Sequence, residues 1–140
     1  MGKLSFNMYH EVARTQPEDF LRLAQLLRSE IDKSQGARRA IAHACYYAVY
    51  HLMAAHFQID PRSRAGSRHG EIKDLLAGFR FVPPVPRHVV IARREYPRLM
   101  LLRARADYNL EEPFTSAQAN IALRAAEEIF AAIPGASRPC

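Results

Sequence analysis

The sequence has little that could tie a small fold together covalently or through a metal. It contains two cysteines and no tryptophan; Cys45 lies within an apolar helical pattern and Cys140 is the last residue. Thiols placed in this way form neither a disulfide framework nor a Cys-x-x-Cys metal site. No two histidines are spaced four residues apart on a predicted helix, and we therefore expect no metal and no cofactor.

Long apolar runs are also missing. The longest, at about residues 40–55, is interrupted by His43, His51 and three tyrosines, whereas a membrane-spanning helix needs about 20 apolar residues in succession. The first residues lack the apolar core of a secretion signal. These features predict a cytoplasmic protein with no membrane partner.

Several enzyme motifs are absent. There is no glycine-rich phosphate loop, no Gly-x-Ser-x-Gly elbow and no His-Glu-x-x-His helix. The sequence therefore gives no motif support for nucleotide-binding, serine-hydrolase or zinc-protease functions. Lysine is scarce, with three residues against seventeen arginines in a chain of net charge +6. The arginine fork binds phosphate through two hydrogen bonds and so favours a polyanion, although a coding bias toward arginine explains the surplus equally well.

The residues that are present predict an all-α fold. Apolar positions recur at helical spacing and no β-branched alternation is long enough for a sheet, which indicates one domain over residues 1–140 with its core at about 17–133. The expected architecture is an up-and-down four-helix bundle with an additional short helix. Thr15 is predicted to cap the first helix and Gly36 to end it. The later helices are predicted at 37–57, at 69–79, from Arg87 with a kink or break at Pro97 and a second part at 99–108, and at 116–133.

The helix at 37–57 is apolar on most of its circumference and is expected to lie at the centre of the bundle. Tyr46, Tyr47 and Tyr50 are interpreted as residues of the core or of a dimer interface rather than as platforms for stacked bases. His43 and His51 are interpreted as structural residues that fill polar gaps in the bundle.

Two stretches of the sequence carry a family resemblance. The central helix contains Arg39, Tyr46-Tyr47-Ala48 and His51, His69-Gly70 follows after a loop, and Arg103-x-x-Ala-Asp107-Tyr108 precedes an alanine-rich last helix. In this order and spacing, over about residues 17–133, the chain resembles the HEPN family. The resemblance implies a helical bundle that dimerises, a place in a bacterial toxin–antitoxin or antiphage defence system and, in active members, metal-independent RNA cleavage through an Arg-x4–6-His motif.

The resemblance also implies roles for individual residues. The motif arginine corresponds to Arg103, which would bind the scissile phosphate, and two facing copies would form one composite cleft. The position of the motif histidine is occupied by Tyr108, and a phenol with a pKa near 10 is a poor base at neutral pH, so this role does not transfer directly. Arg103 is thus the predicted phosphate ligand, with His69, Asp107 or Tyr108 completing a catalytic site. The same side chains could instead form a hydrogen-bonded network that ties the fourth helix to the second.

Basic residues around this motif are the predicted RNA contacts. Literal Arg-x4–6-His matches also occur from Arg38 to His43 and from two loop arginines to His69, but such matches are about as frequent as chance predicts. The predicted RNA-binding residues are Arg39, Arg62, Arg64, Arg68 and Arg105.

Two functions fit these features. One is a metal-independent endoribonuclease. The other is a non-catalytic dimeric module that associates through its central or last helix and docks a partner protein, such as a cognate antitoxin or a nucleotidyltransferase.

Overall fold

A computed structural model of the protein describes residues 14–62, 68–78 and 84–135, and all regular structure in these ranges is helical. The helices are α1 (Pro17–Leu26), α2 (Gln35–His56), α3 (His69–Gly78), α4 (Arg87–Tyr108) and α5 (Ser116–Ala131), and a 3-10 turn at Arg28–Glu30 lies between α1 and α2. Helix α2 packs against α1, α4 and α5, while α3 packs against α4 and α2. The predicted all-α bundle with an additional short helix is confirmed.

Helix α2 is the centre of the bundle, as its composition predicts. Ala42, Ala48 and Cys45 are completely buried, and such small side chains let neighbouring helices approach closely. The two largest buried side chains, Tyr46 of α2 and Tyr96 of α4, join their hydroxyl groups at 2.9 Å. This bond gives each buried phenol the polar partner that it requires.

The connection between α1 and α2 differs from the prediction. The N-cap of α1 is Gln16 rather than Thr15. The backbone N–H of Gln16 donates to the Asp19 carboxylate at 2.7 Å, as in a capping box. Gly36 does not end α1 but lies in the first turn of α2, since the Ser34 hydroxyl accepts from the Ala37 amide at 3.2 Å and caps that helix. A serine hydroxyl that accepts from a free amide of the first turn stabilises the start of a helix.

Pro97 neither divides α4 nor ends it, because the helix is continuous from Arg87 to Tyr108. Pro97 lies on the exposed side of α4. Burial of the opposite side, including Tyr96 and Leu99, holds both halves of the helix on the core.

None of the helices in the described ranges combines the length and the apolar character needed to cross a membrane.

The thiol of Cys45 is expected to be unreactive in the folded protein. Burial raises its pKa to about 12, so at pH 8 the thiolate is roughly a thousandfold rarer than for a free cysteine. In a Cys140→Ser variant, Ellman's reagent should leave Cys45 unmodified under native conditions and modify it fully in denaturant. Rapid modification of the native variant would show that the helix is not closed around this residue.

Acid should weaken the fold at the junction between the end of α2 and the start of α4. His88 is buried beside the ring of His56, 5.9 Å between centroids, and its Nδ1 atom has no hydrogen-bond partner. Burial, followed by the charge of His56, lowers the pKa of His88 below the ordinary value of 6.5.

Below pH 6.5 the His88 imidazole therefore binds a proton more readily in the unfolded chain than in the folded one. The contribution of His88 to stability is complete above pH 6.5 and is lost as the pH falls, by up to about 1.4 kcal/mol per pH unit. Urea unfolding of the wild type and of His88→Gln between pH 5 and 8 measures the effect, and the variant should show the shallower pH dependence. Equal slopes would contradict this role of His88.

Candidate functional site

Arg103 lies on the side of α4 that faces α2, and its side chain is 11% exposed. Its guanidinium carbon is 5.2 Å from the ring centroid of Tyr46, 5.7 Å from that of Tyr47 and 5.5 Å from that of Tyr108. Aromatic faces attract a cation most strongly where water is largely excluded. The tyrosines of α2 therefore hold a nearly buried positive charge at this point.

The polar contacts of Arg103 leave part of its binding capacity unused. Nη1 lies 3.5 Å from Asp107 Oδ2 and 3.4 Å from the Tyr108 hydroxyl, while the buried Nε atom has no hydrogen-bond partner. Burial opposes the positive charge, but the neighbouring groups, led by Tyr47, outweigh it and raise the pKa of Arg103. The guanidinium is thus a permanent cation whose polar contacts are long, which suits it to bind an anionic ligand.

The Asp107 carboxylate also binds a histidine of α2. His43 Nδ1 lies 2.8 Å from Asp107 Oδ2 and 3.1 Å from Oδ1. Because a carboxylate only accepts hydrogen bonds, Nδ1 must carry the proton, and a neutral His43 then has its lone pair on Nε2. The His43 side chain is 50% exposed. His43, Asp107 and Arg103 thus form a chain of contacts between α2 and α4, and we call these three residues the His-Asp-Arg cluster.

His69, at the start of α3, approaches the same tyrosines from the other side. The Tyr46 hydroxyl is hydrogen-bonded to His69 Nδ1, and the Tyr50 ring centroid is 4.5 Å from the His69 ring. Burial raises the pKa of Tyr46, so its hydroxyl stays protonated at neutral pH. Burial, the charge of Arg103 and then His51 lower the pKa of His69. A neutral imidazole that accepts at Nδ1 carries its hydrogen on Nε2.

Three of the predicted catalytic residues contact each other, and the fourth joins them through a shared neighbour. Arg103, Asp107 and Tyr108 lie together at the end of α4, while His69 and Arg103 both contact Tyr46. Tyr108 is 75% exposed, so it forms the outer edge of the site and not part of a buried network.

The predicted RNA-binding arginines have different surroundings. Arg62 pairs with Asp60 at 3.1 Å, Arg68 pairs with Glu71, and Arg105 is exposed on α4. Arg64 lies outside the described residues. The buried Nε atom of Arg68, like that of Arg103, has no hydrogen-bond partner.

The side chain of Arg39, a predicted RNA contact, binds backbone carbonyl groups at the end of α4. Its guanidinium donates to the carbonyl oxygens of Arg105, Ala106, Asn109 and Glu112, at 3.3, 2.9, 3.1 and 2.6 Å. These oxygens include the last carbonyls of α4, where the helix dipole favours a cation. Arg39 thus supports the end of the helix that carries Asp107 and Tyr108.

The sequence motifs do not point to His43 as a neighbour of Asp107. The sequence favours a structural role for His43, and its match with Arg38 is one of several that chance explains. His43 and Asp107 are 64 positions apart in the chain, so their contact depends on the alignment of α2 with α4. The one local signal is that His43 precedes Tyr47 by a single helical turn.

No group of three or more histidine, cysteine or acidic side chains that could hold a metal ion occurs within the described ranges. Comparison with models of protein families, with curated proteins and with solved structures gives no match.

Proposed function

We propose that this protein is a metal-independent endoribonuclease, of the HEPN-like kind found in bacterial toxin–antitoxin and antiphage defence systems. The observation that supports this most is the His-Asp-Arg cluster, in which an exposed imidazole and a nearly buried guanidinium contact the same carboxylate. In this proposal His43 of α2, which contacts Asp107, serves as the histidine that the sequence motif lacks at Tyr108.

Each residue has a definite part in the proposed reaction. Arg103 holds the scissile phosphate and neutralises the charge that grows on its oxygens. Asp107 keeps the His43 proton on Nδ1, so that Nε2 removes the proton from the ribose 2′-hydroxyl. The 2′-oxygen then bonds to phosphorus, the bond from phosphorus to the 5′-oxygen breaks, and that oxygen takes up a proton from solvent. The products are a 2′,3′-cyclic phosphate and a 5′-hydroxyl.

His69 has a different part, because a neutral imidazole with a lowered pKa gives up no proton. In the tautomer that carries its hydrogen on Nε2, the ring would donate a hydrogen bond to a phosphate oxygen. Tyr46, which bonds to Nδ1, positions this ring. Tyr108 shields Arg103 from bulk water and serves as neither acid nor base.

Arg103→Ala should abolish RNA cleavage. The purified protein is incubated with single-stranded and structured RNA in EDTA, and the ends of the products are identified. Loss of the guanidinium should reduce the rate by roughly a hundredfold or more, the usual cost of removing a group that stabilises transition-state charge. Arg87→Ala, which removes the same charge from an exposed position at the start of α4, is the control and should cleave normally.

The second candidate is the interaction module, and one observation favours it. Val90, Leu101 and Tyr108 are each more than half exposed and are spaced by 11 and 7 residues, which aligns them on one side of α4. Such a face suits a second copy or a partner such as an antitoxin or nucleotidyltransferase. No cleavage of any RNA, together with a stable complex that Leu101→Glu disrupts, would favour the module over the nuclease.

A further inference from the structure

A cavity of about 400 Å³ lies between the start of α1 and the second half of α2. It is lined by the side chains of Phe20 and His51, whose rings are stacked with centroids 5.3 Å apart and an interplanar angle of 15°. Arg14, Thr15 and Gln16 line the remainder together with two apolar residues. Cavities of this volume are of the size that binds small planar molecules.

The lining combines a positive charge, hydrogen-bonding groups and two flat rings. Arg14 contributes a cation, and none of the described residues that line the cavity is acidic. Thr15 and Gln16 contribute hydrogen-bonding groups beside the two flat rings. A nucleobase offers an aromatic face to the rings and polar edges to the other groups, while its phosphate carries the charge that an arginine binds.

Aromatic rings connect this cavity with the His-Asp-Arg cluster. The centroid of Tyr47 is 4.7 Å from that of His43 and 6.2 Å from that of His51, which in turn stacks on Phe20. His43 and His51 are eight residues apart on one helix, a distance of about 12 Å along its axis. An RNA strand bound at His43 can therefore extend along α2 to the cavity. Proteins bind single strands in this way, with successive bases on successive aromatic side chains.

We propose that the cavity of Phe20 and His51 binds a nucleobase of single-stranded RNA, a few nucleotides from the bond that is cleaved. The proposal takes its ligand class from the proposed function, but it concerns residues that have no part in the cleavage step. Burial lowers the pKa of His51, which keeps its ring neutral for stacking at pH 7. The cavity would select unpaired over paired RNA, since a base must leave its duplex to enter.

The absence of tryptophan from the sequence provides a specific test. Phe20→Trp places one tryptophan in the cavity, and Leu26→Trp places one on the same helix at a position that is 71% exposed. The probes are a 2′-O-methyl hexaadenylate, which lacks the nucleophile for cleavage, and an abasic oligomer of equal length. The hexaadenylate should quench the fluorescence of Phe20→Trp strongly and that of Leu26→Trp weakly, and the abasic oligomer should quench neither. Equal quenching of the two variants, or equal quenching by the two oligomers, would overturn the proposal.

Binding affinity gives a second measurement that does not depend on a tryptophan. Phe20→Leu, which keeps an apolar side chain but removes the ring, should weaken binding of the labelled hexaadenylate roughly tenfold and leave binding of the abasic oligomer unchanged. Arg14→Gln should weaken binding of both oligomers. Because Arg14 is exposed and outside the core, this variant tests the site without disturbing the packing. Unchanged affinity in both variants would also overturn the proposal.

Failure of this proposal can be distinguished from failure of the nuclease. Selective quenching without cleavage of natural RNA by the wild type would support the nucleobase site and reject the nuclease. Cleavage by the wild type without selective quenching would reject the nucleobase site alone.

Discussion

His43→Ala should reduce RNA cleavage by roughly 10²- to 10⁴-fold, the range expected when a general base is removed. His43 is half exposed, and Asp107 holds its Nδ1 atom at 2.8 Å, so the substitution removes a proton acceptor from the surface without opening the core. The stability of the protein should change little. The measurement is the cleavage rate in EDTA, together with the urea unfolding midpoint.

Two further variants separate catalysis by His43 from a structural effect. Asp107→Asn retains the shape and a hydrogen-bond acceptor but loses the negative charge, and cleavage should fall although binding of uncleavable RNA persists. His56→Ala removes an exposed histidine from the other end of α2 and should cleave like the wild type. If His43→Ala cleaves normally while Arg103→Ala does not, the base is another group and the role given to His43 is wrong.

Arg39→Ala should lower the free energy of unfolding by about 3 kcal/mol. The substitution leaves four carbonyl oxygens without the guanidinium that binds them. A hydrogen bond to a charged group contributes a net of about 1.5–3 kcal/mol, and only the bond to Ala106 is part-buried, so the total loss should lie near the upper end of the value for one such bond. Arg39→Lys should restore only part of the loss, because an ammonium group cannot span acceptors that are arranged around a planar fork. Urea unfolding at pH 7 measures both variants.

Arg105→Ala is the matched control for Arg39. It removes the same charge from an exposed side chain of α4, and its effect on stability should be within about 0.5 kcal/mol. Arg39→Ala is also expected to reduce cleavage, since Asp107 and Tyr108 lie in the helical turn that Arg39 supports. A variant of Arg39 that binds RNA less well but unfolds like the wild type would instead favour direct contact with RNA.

The elements of the fold could be predicted because their signals are local. The apolar period places α2 and α5 within two residues of their observed starts, and the arginine and acidic residue of the motif share one helix, where a spacing of four brings them together. The errors lie where two local signals compete. Gly36 could end one helix, but the Ser34 hydroxyl begins the next, and Pro97 could break α4, but burial of Tyr96 and Leu99 keeps the helix continuous.

The sequence by itself determined an all-helical core around an alanine-rich helix, the arginine surplus, and the placement of Arg103 and Asp107 one turn apart. Tertiary structure decided which residues complete the site. His43 meets Asp107, His69 meets Tyr46, and Phe20 stacks on His51 only because α1, α3 and α4 pack against α2 in one alignment. These contacts depend on the relative rotation and translation of whole helices. The packing of many buried side chains determines that alignment, so it cannot be predicted from a short motif.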